Sequence, residues 1–380
     1  MTMSPVQTSA PRTPTGTGIA RWPGRLLDAL TSPVNPDRYL ELLGPMRVVN
    51  EARAQVVGIR HQTPDTVTLT LRANRAWRGH QAGQHVRLSV EIDGVRHTRC
   101  YSPANAGIVA GRGGRLIEVT ARHHEDGVVT PMLKAGLGAG DLVYLARAGQ
   151  GDFVLPEQRP ERVLLISGGS GITPVMSMLR TLAAERHDGE IVFLHYARDR
   201  ENELYRSELA ELEASTPGLK VVVVHTRPTG TSDLRGYFSA EHLEKVAPWF
   251  TDAPAWLCGP ATLTESVLEL YGERGLSDLL TVEHFSLDID EPSTEGATGT
   301  ITFSASGISV PNSGATILNQ AEAAGLTLEY GCRMGLCHGC LQLKHSGTVR
   351  NHVTGETRSD QDQEVWTCVG VPVGDVDIHV

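Results

Sequence analysis

Residues 163–179 read VLLISGGSGITPVMSML. The unbroken apolar run VLLIS has the texture of a strand buried on both faces, and it stops at Gly168, Gly169 and Gly171. Thr173 is a good N-cap, and Pro174 at a first helical position loses no hydrogen bond, so the spacing predicts a helix opening there. A glycine turn running into a helix N-terminus is a site for a pyrophosphate. The stretch is not the G-x-G-x-x-G fingerprint, and a strand–turn–helix unit needing glycine only for packing reads the same way.

The same texture extends from about residue 162 to 286. Apolar runs IVFLHY, VVVVHT and AWLCG alternate with helical segments PVMSMLRTLAAERH, NELYRSELAELEA and ATLTESVLELYGERG. Such alternation predicts an α/β domain whose parallel sheet is covered on both faces. Upstream, QVVGIRH, DTVTLTLRA, QHVRLSVEI, RLIEVTAR and DLVYLAR alternate with period two, which predicts an antiparallel β-barrel or sandwich. Downstream, SLDIDEPSTEGATGT reads as a linker, followed by a small α+β domain with strand-like ends and one helix, TILNQAEAAG. The expected divisions are an N-terminal extension at 1–50, a barrel at 51–156, the α/β domain at 160–286, a linker at 287–298 and the last domain at 299–380. Residues 1–20, rich in Pro, Thr, Ser and Gly, are expected to be disordered. IARWPGRLLDALTSP and DRYLELLG look like short amphipathic helices, packing on the barrel or touching a membrane or partner.

With 380 residues, two or three domains are expected from size alone. A formal charge of −10 leaves no basic face for nucleic acid. The N-terminus lacks the apolar core of a signal peptide, and no run nears the roughly 18 apolar residues of a membrane span. A cytoplasmic, reducing location follows, which disfavours disulfides.

That matters for GCRMGLCHGC, residues 331–340. Three of the six cysteines crowd this loop, and Cys368 follows well downstream. Cys332-x4-Cys337-x2-Cys340 with a distant fourth cysteine is the plant-type [2Fe–2S] spacing. Structural zinc more often uses paired C-x2-C knuckles, and neither Cys332 nor Cys368 has such a partner. The glycines Gly331, Gly335 and Gly339 let backbone N–H groups turn towards sulfur.

A third stretch, HTRCYSPAN at 97–105, puts a cation, a flat ring and a hydroxyl at one strand end. Arg99, Tyr101 and Ser102 suit an anionic planar cofactor, though an exposed strand end has the same composition. Cys100 is filler in that reading.

Together these stretches resemble the ferredoxin–NADP reductase superfamily, in its single-chain members with a C-terminal ferredoxin domain of β-grasp type. RCYS stands where the family has R-x-Y-S, which binds the flavin. EDGVVTPML at 125–133 is similar to its flavin-phosphate segment, with Thr130 in place of Ser. GQGDF at 149–153 resembles its GPxGxF turn without the proline, while GGSGITP, CGP at 258–260 and VEHF at 282–285 match its nicotinamide-side motifs. The resemblance implies flavin contacts from Arg99, Tyr101, Ser102, Val119, Thr120, Gly127, Val128, Val129 and Thr130. It implies dinucleotide contacts from Gly168, Gly169, Gly171, Thr173, Pro174, Gly259 and Pro260, and a hydride site formed by Ser102, Cys258 and Glu283. The four cysteines Cys332, Cys337, Cys340 and Cys368 would ligate the cluster. FAD is implied over FMN.

In YARDRENELY, residues 196–205, Arg198 and Arg200 favour the 2′-phosphate of NADPH, Asp199 keeps the ribose of NADH open, and Tyr205 is placed over adenine. Nicotinamide delivers a hydride, a [2Fe–2S] cluster takes one electron at a time, and a flavin can do both, so the implied circuit runs from NADPH through FAD and the cluster to an acceptor protein. The N-terminal extension and the cysteine loop look most like actinobacterial reductases serving membrane acyl-CoA desaturases, with location at the inner membrane face through that acceptor. Steroid or alkane hydroxylases and cytochromes P450 are the alternative acceptors, and a redox sensor without sustained turnover is the alternative of another kind. Residues 297–380 carry eight acidic against four basic side chains, leaving −4. This charge is expected to steer docking onto a basic acceptor, or merely to be solvated.

Overall fold

Period-two alternation builds the first sheet. β1 (Ala52–Thr63), β2 (Thr66–Ala73), β3 (Val86–Ile92), β4 (Val95–Tyr101), β5 (Leu116–Arg122) and β6 (Leu142–Leu145) pair antiparallel in the order β4-β3-β6-β1-β2-β5. Its two edges meet where Pro103, just past β4, bridges Val119 of β5, so the sheet closes into a barrel. Val56, Leu69, Leu88, Ile117 and Val143 fill the interior. This computed structural model describes residues 37–108, 114–123, 129–227, 234–285, 292, 296–330, 335 and 339–380.

The extension contributes one described helix, α1 (Asp37–Leu42). It is tied to the barrel by polar contacts: Val49 and Asn50 N–H donate to the Asp37 carboxylate, and Arg53 pairs with Glu41. Leu42 at its end and Leu43 just beyond remain 85% and 66% exposed, whereas Leu40 is half-buried. The expected disorder of residues 1–20 and the first amphipathic segment lie outside the described residues.

β7 (Arg162–Gly168), β8 (Glu190–Ala197), β9 (Leu219–His225), β10 (Ala255–Gly259) and β11 (Leu280–His284) are all parallel, in the order β11-β10-β7-β8-β9. Alternate residues of β7 serve two cores. Val163 and Leu165 face α2 (Ile172–Glu185), while Leu164 and Ile166 face α4 (Ala240–Val246) and α5 (Ala261–Glu273), α3 (Arg206–Ser215) lying on the α2 side. The chain runs outward from β7 to β9 and then returns to β10 on the other side of β7. Strand order therefore reverses between β7 and β10, and the crevice beyond their carboxyl ends is where such sheets bind ligands.

α2 begins earlier than the sequence suggests. A 3₁₀ turn at Gly169–Gly171 leads straight into Ile172, and the Thr173 hydroxyl donates back to the Ser170 carbonyl instead of capping the helix. Pro174 fits because the first helical N–H groups have no intrahelical acceptor anyway.

The last domain pairs β12 (Thr300–Phe303), β13 (Ile308–Pro311), β14 (Leu341–Asn351), β15 (Thr357–Arg358), β16 (Gln363–Trp366) and β17 (Gly370–Ile378). β12 and β17 run parallel, the remaining pairs antiparallel, and α6 (Ile317–Ala323) covers one face through Ile317, Leu318 and Ala321. Among the described residues no helix is long and apolar enough to cross a membrane.

Candidate active site

The crevice between β7 and β10 opens into a cavity of about 540 Å³. Gly168, Gly169 and Ser170 from the turn after β7 and Pro260 and Thr262 from beyond β10 form one wall. Gly171 is required by close approach: a Cβ there would lie 2.3 Å from the Cys258 carbonyl oxygen, so only glycine lets the two turns touch. Gly169 sits at φ +53 with open space beside it, the left-handed conformation that aims backbone at the cavity. The barrel supplies the opposite wall through Thr63, Asp65 and Arg122. Burial works against the Asp65 charge, yet hydrogen bonds from Thr63, Arg122 and Thr66 hold its carboxyl down at about 2.

Arg198, at the end of β8, lines this cavity. Arg200 does not: it opens a short 3₁₀ turn on the surface. Apart from Arg122, which is paired with Asp65, the other cavity arginine is Arg227, just past β9, which sequence reading passed over. Parallel register sets Ala197 beside His225 and so brings the ends of the two strands together. The Asp199 Oδ1 accepts three hydrogen bonds, from the N–H groups of Glu201 and Asn202 and from the Asn202 amide, so this carboxylate caps the turn. Tyr205, expected over adenine, does not line this cavity. Its ring is buried between the two domains, where its hydroxyl bonds that of Thr120 and its backbone takes φ +55. Tyr237 and Phe238 line the cavity instead.

Register also builds a polar row across the sheet. Glu283, Cys258, Ser167 and His195 are consecutive neighbours on β11, β10, β7 and β8. Ser167 Oγ lies 2.8 Å from His195 Nδ1. Burial lowers the His195 pKa to about 4, keeping the ring neutral at pH 7. Burial, then the nearby Glu283 charge, push the Cys258 thiol up, and burial raises the Glu283 carboxyl to about 7. His85 of the barrel reaches towards this row, its Nδ1 3.9 Å from Glu283 Oε1.

The flavin motif lies on the facing barrel edge. Ser102 is 3% exposed, and its Oγ has no hydrogen-bond partner among the described residues. A buried hydroxyl left in that state fits a ligand that completes it. Tyr101 packs against the barrel core, and Val119 is drawn in by its bridge to Pro103. The Thr120 hydroxyl is engaged by Thr68 and Tyr205, so only its backbone faces other work. The Arg99 guanidinium donates to the Thr98 carbonyl and lies over the ring of Tyr330 in the last domain. Val129 and Thr130 open a helical turn at Val129–Pro131, whereas Gly127 and Val128 fall outside the described residues.

The two described cysteines of the cluster motif converge. Cys340 precedes β14 and Cys368 follows β16, and pairing of Leu341 with Trp366 brings these strand ends together. Their sulfurs are 3.1 Å apart, too far for a disulfide, whose bond is about 2.05 Å. The Gly335 N–H donates to the Cys368 sulfur at 3.3 Å, the kind of contact that tunes an iron–sulfur centre. Buried, unbridged cysteine sulfurs with an N–H donor fit a [2Fe–2S] cluster; Cys332 and Cys337 lie outside the described residues.

Three family models match the chain, one for each domain. Residues 54–154 match the oxidoreductase FAD-binding domain, 165–269 the oxidoreductase NAD-binding domain, and 301–373 the 2Fe-2S iron-sulfur cluster binding domain. An NADPH oxidoreductase of Mycobacterium tuberculosis is 36% identical over 371 residues, 96% of this chain and 95% of its own length. A glycine betaine monooxygenase reductase subunit of Pseudomonas aeruginosa is 28% identical over 77% of this chain and 85% of its own. The solved structure of phthalate dioxygenase reductase has a TM-score of 0.56 over 86% of this chain and 97% of that one; at 20% identity it shows the shared fold.

Proposed function

The chain belongs to the ferredoxin–NADP reductase family, in its single-chain form with a C-terminal [2Fe–2S] domain, and from that premise we propose that it feeds electrons from NADPH to a membrane acyl-CoA desaturase. The enzyme is an NAD(P)H oxidoreductase that uses FAD and a [2Fe–2S] cluster. When bound, these groups convert one hydride into two single electrons. The residues supply placement. Arg198 and Arg227 offer two guanidinium groups to a 2′-phosphate, and the turn of Gly168–Gly171 offers backbone to the pyrophosphate. Cys258 and Glu283 flank the position for the nicotinamide ring, with Glu283 titrating near neutrality. The Ser102 hydroxyl offers a hydrogen bond to the flavin ring, and Cys340 and Cys368, with Cys332 and Cys337, hold the irons.

The observation that carries the acceptor class is the surface of the last domain. Lys344 is fully buried, its Nζ donating to the Gly347 and Asp360 carbonyls, while Glu322, Glu329, Asp360, Asp362 and Glu364 are exposed. The exposed charge of the domain is therefore mostly carboxylate, and it suits a basic acceptor. The desaturase is favoured over a soluble oxygenase on the N-terminal extension and the cysteine loop, which look most like those of reductases serving membrane acyl-CoA desaturases. The protein then works in the cytoplasm, at the inner face of the membrane through its acceptor.

Reconstitution tests this reading. NADPH with the reductase should drive acyl-CoA desaturation in desaturase-bearing membranes, at a rate that falls with salt. A steroid, alkane or P450 oxygenase served equally well would remove the desaturase. For the nucleotide, Arg198→Ala with Arg227→Ala should raise the KM for NADPH about a hundredfold while leaving that for NADH nearly unchanged, as expected for two lost charge-assisted contacts. Equal loss with both nucleotides would show that these arginines do not read the 2′-phosphate.

A further inference from the structure

Arg99 belongs to the flavin motif on β4, and Tyr330 belongs to the last domain, immediately ahead of the cysteine-bearing segment. The guanidinium carbon of Arg99 lies 5.6 Å from the centroid of the Tyr330 ring. Both residues stand on well-held backbone. Arg99 is paired in register with Leu88, a fully buried residue of the barrel, and Tyr330 packs against the core that contains Leu328.

A guanidinium donates hydrogen bonds only in its plane, and its faces are weakly hydrated. It can therefore fork to a phosphate along one edge while an aromatic ring covers one face. The two engagements do not compete; each orients the group for the other. We infer that Arg99 and Tyr330 form a latch by which flavin binding docks the ferredoxin domain onto the barrel. A phosphate in the plane of the guanidinium fixes Arg99, and the fixed cation presents its face to Tyr330. The inference rests on the reading of Arg99 as the flavin-phosphate ligand. Its functional weight comes from distance, because tunnelling between flavin and cluster falls steeply as the two domains separate. The tyrosine hydroxyl takes no part in it, so phenylalanine should serve.

The test uses the full chain with Tyr330→Leu and Tyr330→Phe. Wild type and Tyr330→Phe should become more compact in small-angle X-ray scattering when FAD is added to the flavin-free protein. Tyr330→Leu should stay expanded and, because the linkage is reciprocal, bind FAD up to about fivefold more weakly. In the loaded protein its ratio of cytochrome c reduction (through the cluster) to ferricyanide reduction (from the flavin directly) should fall roughly fivefold, the scale of a partly exposed cation–π contact. Compaction of Tyr330→Leu with an unchanged ratio would overturn the latch. Unchanged FAD affinity in Tyr330→Leu would overturn it too, since a docking step driven by FAD must strengthen FAD binding in return. Arg99→Lys separates the premise from the inference: it should weaken FAD about tenfold, and unaltered FAD affinity would remove the phosphate role and the linkage with it.

Discussion

Gly171→Ala is expected to lower kcat/KM for NADPH about a hundredfold while leaving flavin and cluster content intact. Local preference argues the other way. Gly171 has helical dihedrals, φ −62 and ψ −6, and alanine in a helix is favoured over glycine by up to about 1 kcal/mol. Tertiary contact reverses the sign. The added Cβ would meet the Cys258 carbonyl oxygen at 2.3 Å and its carbon at 2.5 Å, both backbone atoms of a buried strand end. No rotamer change relieves this, so the turn after β7 and the turn after β10 must separate. Those turns frame the dinucleotide crevice and carry Cys258, and displacement near 1 Å at a reacting centre can cost about a hundredfold in rate. Overpacking of this kind should also cost about 1–3 kcal/mol in stability of the nucleotide domain. Gly169→Ala is the informative companion. It faces open space, so its penalty is the left-handed backbone alone, about 1–2 kcal/mol. Steady-state kinetics with both variants decides the matter. A Gly171→Ala enzyme within twofold of wild type would mean that the two turns are not held in contact.

The contrast between these glycines marks where sequence reading stops. Alternation periods in the barrel and continuous apolar runs in the α/β domain are local properties, so the three-domain architecture was legible. Cysteine spacing was legible for the same reason, although the meeting of Cys340 with Cys368 depends on the pairing of β14 with β16. Residues whose partners lie in another domain were not legible. Tyr205 looked like an adenine cover because it follows the second parallel strand; its actual partner, Thr120, is on the barrel. Thr173 looked like a cap, but the 3₁₀ turn before it moved the helix start. Arg227 had no motif of its own, and only the parallel register of β8 and β9 places it beside Arg198.

The same cross-domain contacts make Arg180→Met the most damaging single change expected outside the cofactor sites. Ser177, Arg180 and Thr181 fall at i, i+3 and i+4 on α2, one face of the dinucleotide helix. All three hold the segment that leaves the flavin motif. Ser177 donates to the Asn105 carbonyl, Arg180 to the Ala104 carbonyl, and Thr181 accepts from the Gly107 N–H. Arg180 also forks onto Glu208 at 2.6 and 2.7 Å, reaches Glu118 of β5 at 2.5 Å, and lies over the Tyr205 ring. Burial opposes its charge, but the two carboxylates more than offset that and raise its affinity for the proton. Removing one member of such a network leaves carboxylates and a carbonyl without their donor, at about 3–5 kcal/mol for buried pairs. The Glu118 and Glu208 side chains keep 25% and 27% of their surface, so water offsets part of that, and about 3 kcal/mol is expected. For a two-domain unit of this size the melting temperature should fall by roughly 6–12 °C. The flavin and nucleotide domains would also lose their fixed approach, so kcat should drop at least tenfold while KM for NADPH, set at a cavity Arg180 does not line, changes little. Arg180→Lys keeps the charge but not the fork and should fall between the two. Calorimetry paired with the kcat–KM split is the decisive measurement. A normal kcat in an Arg180→Met enzyme that melts early would reduce the network to a structural tie, with no part in setting the hydride distance.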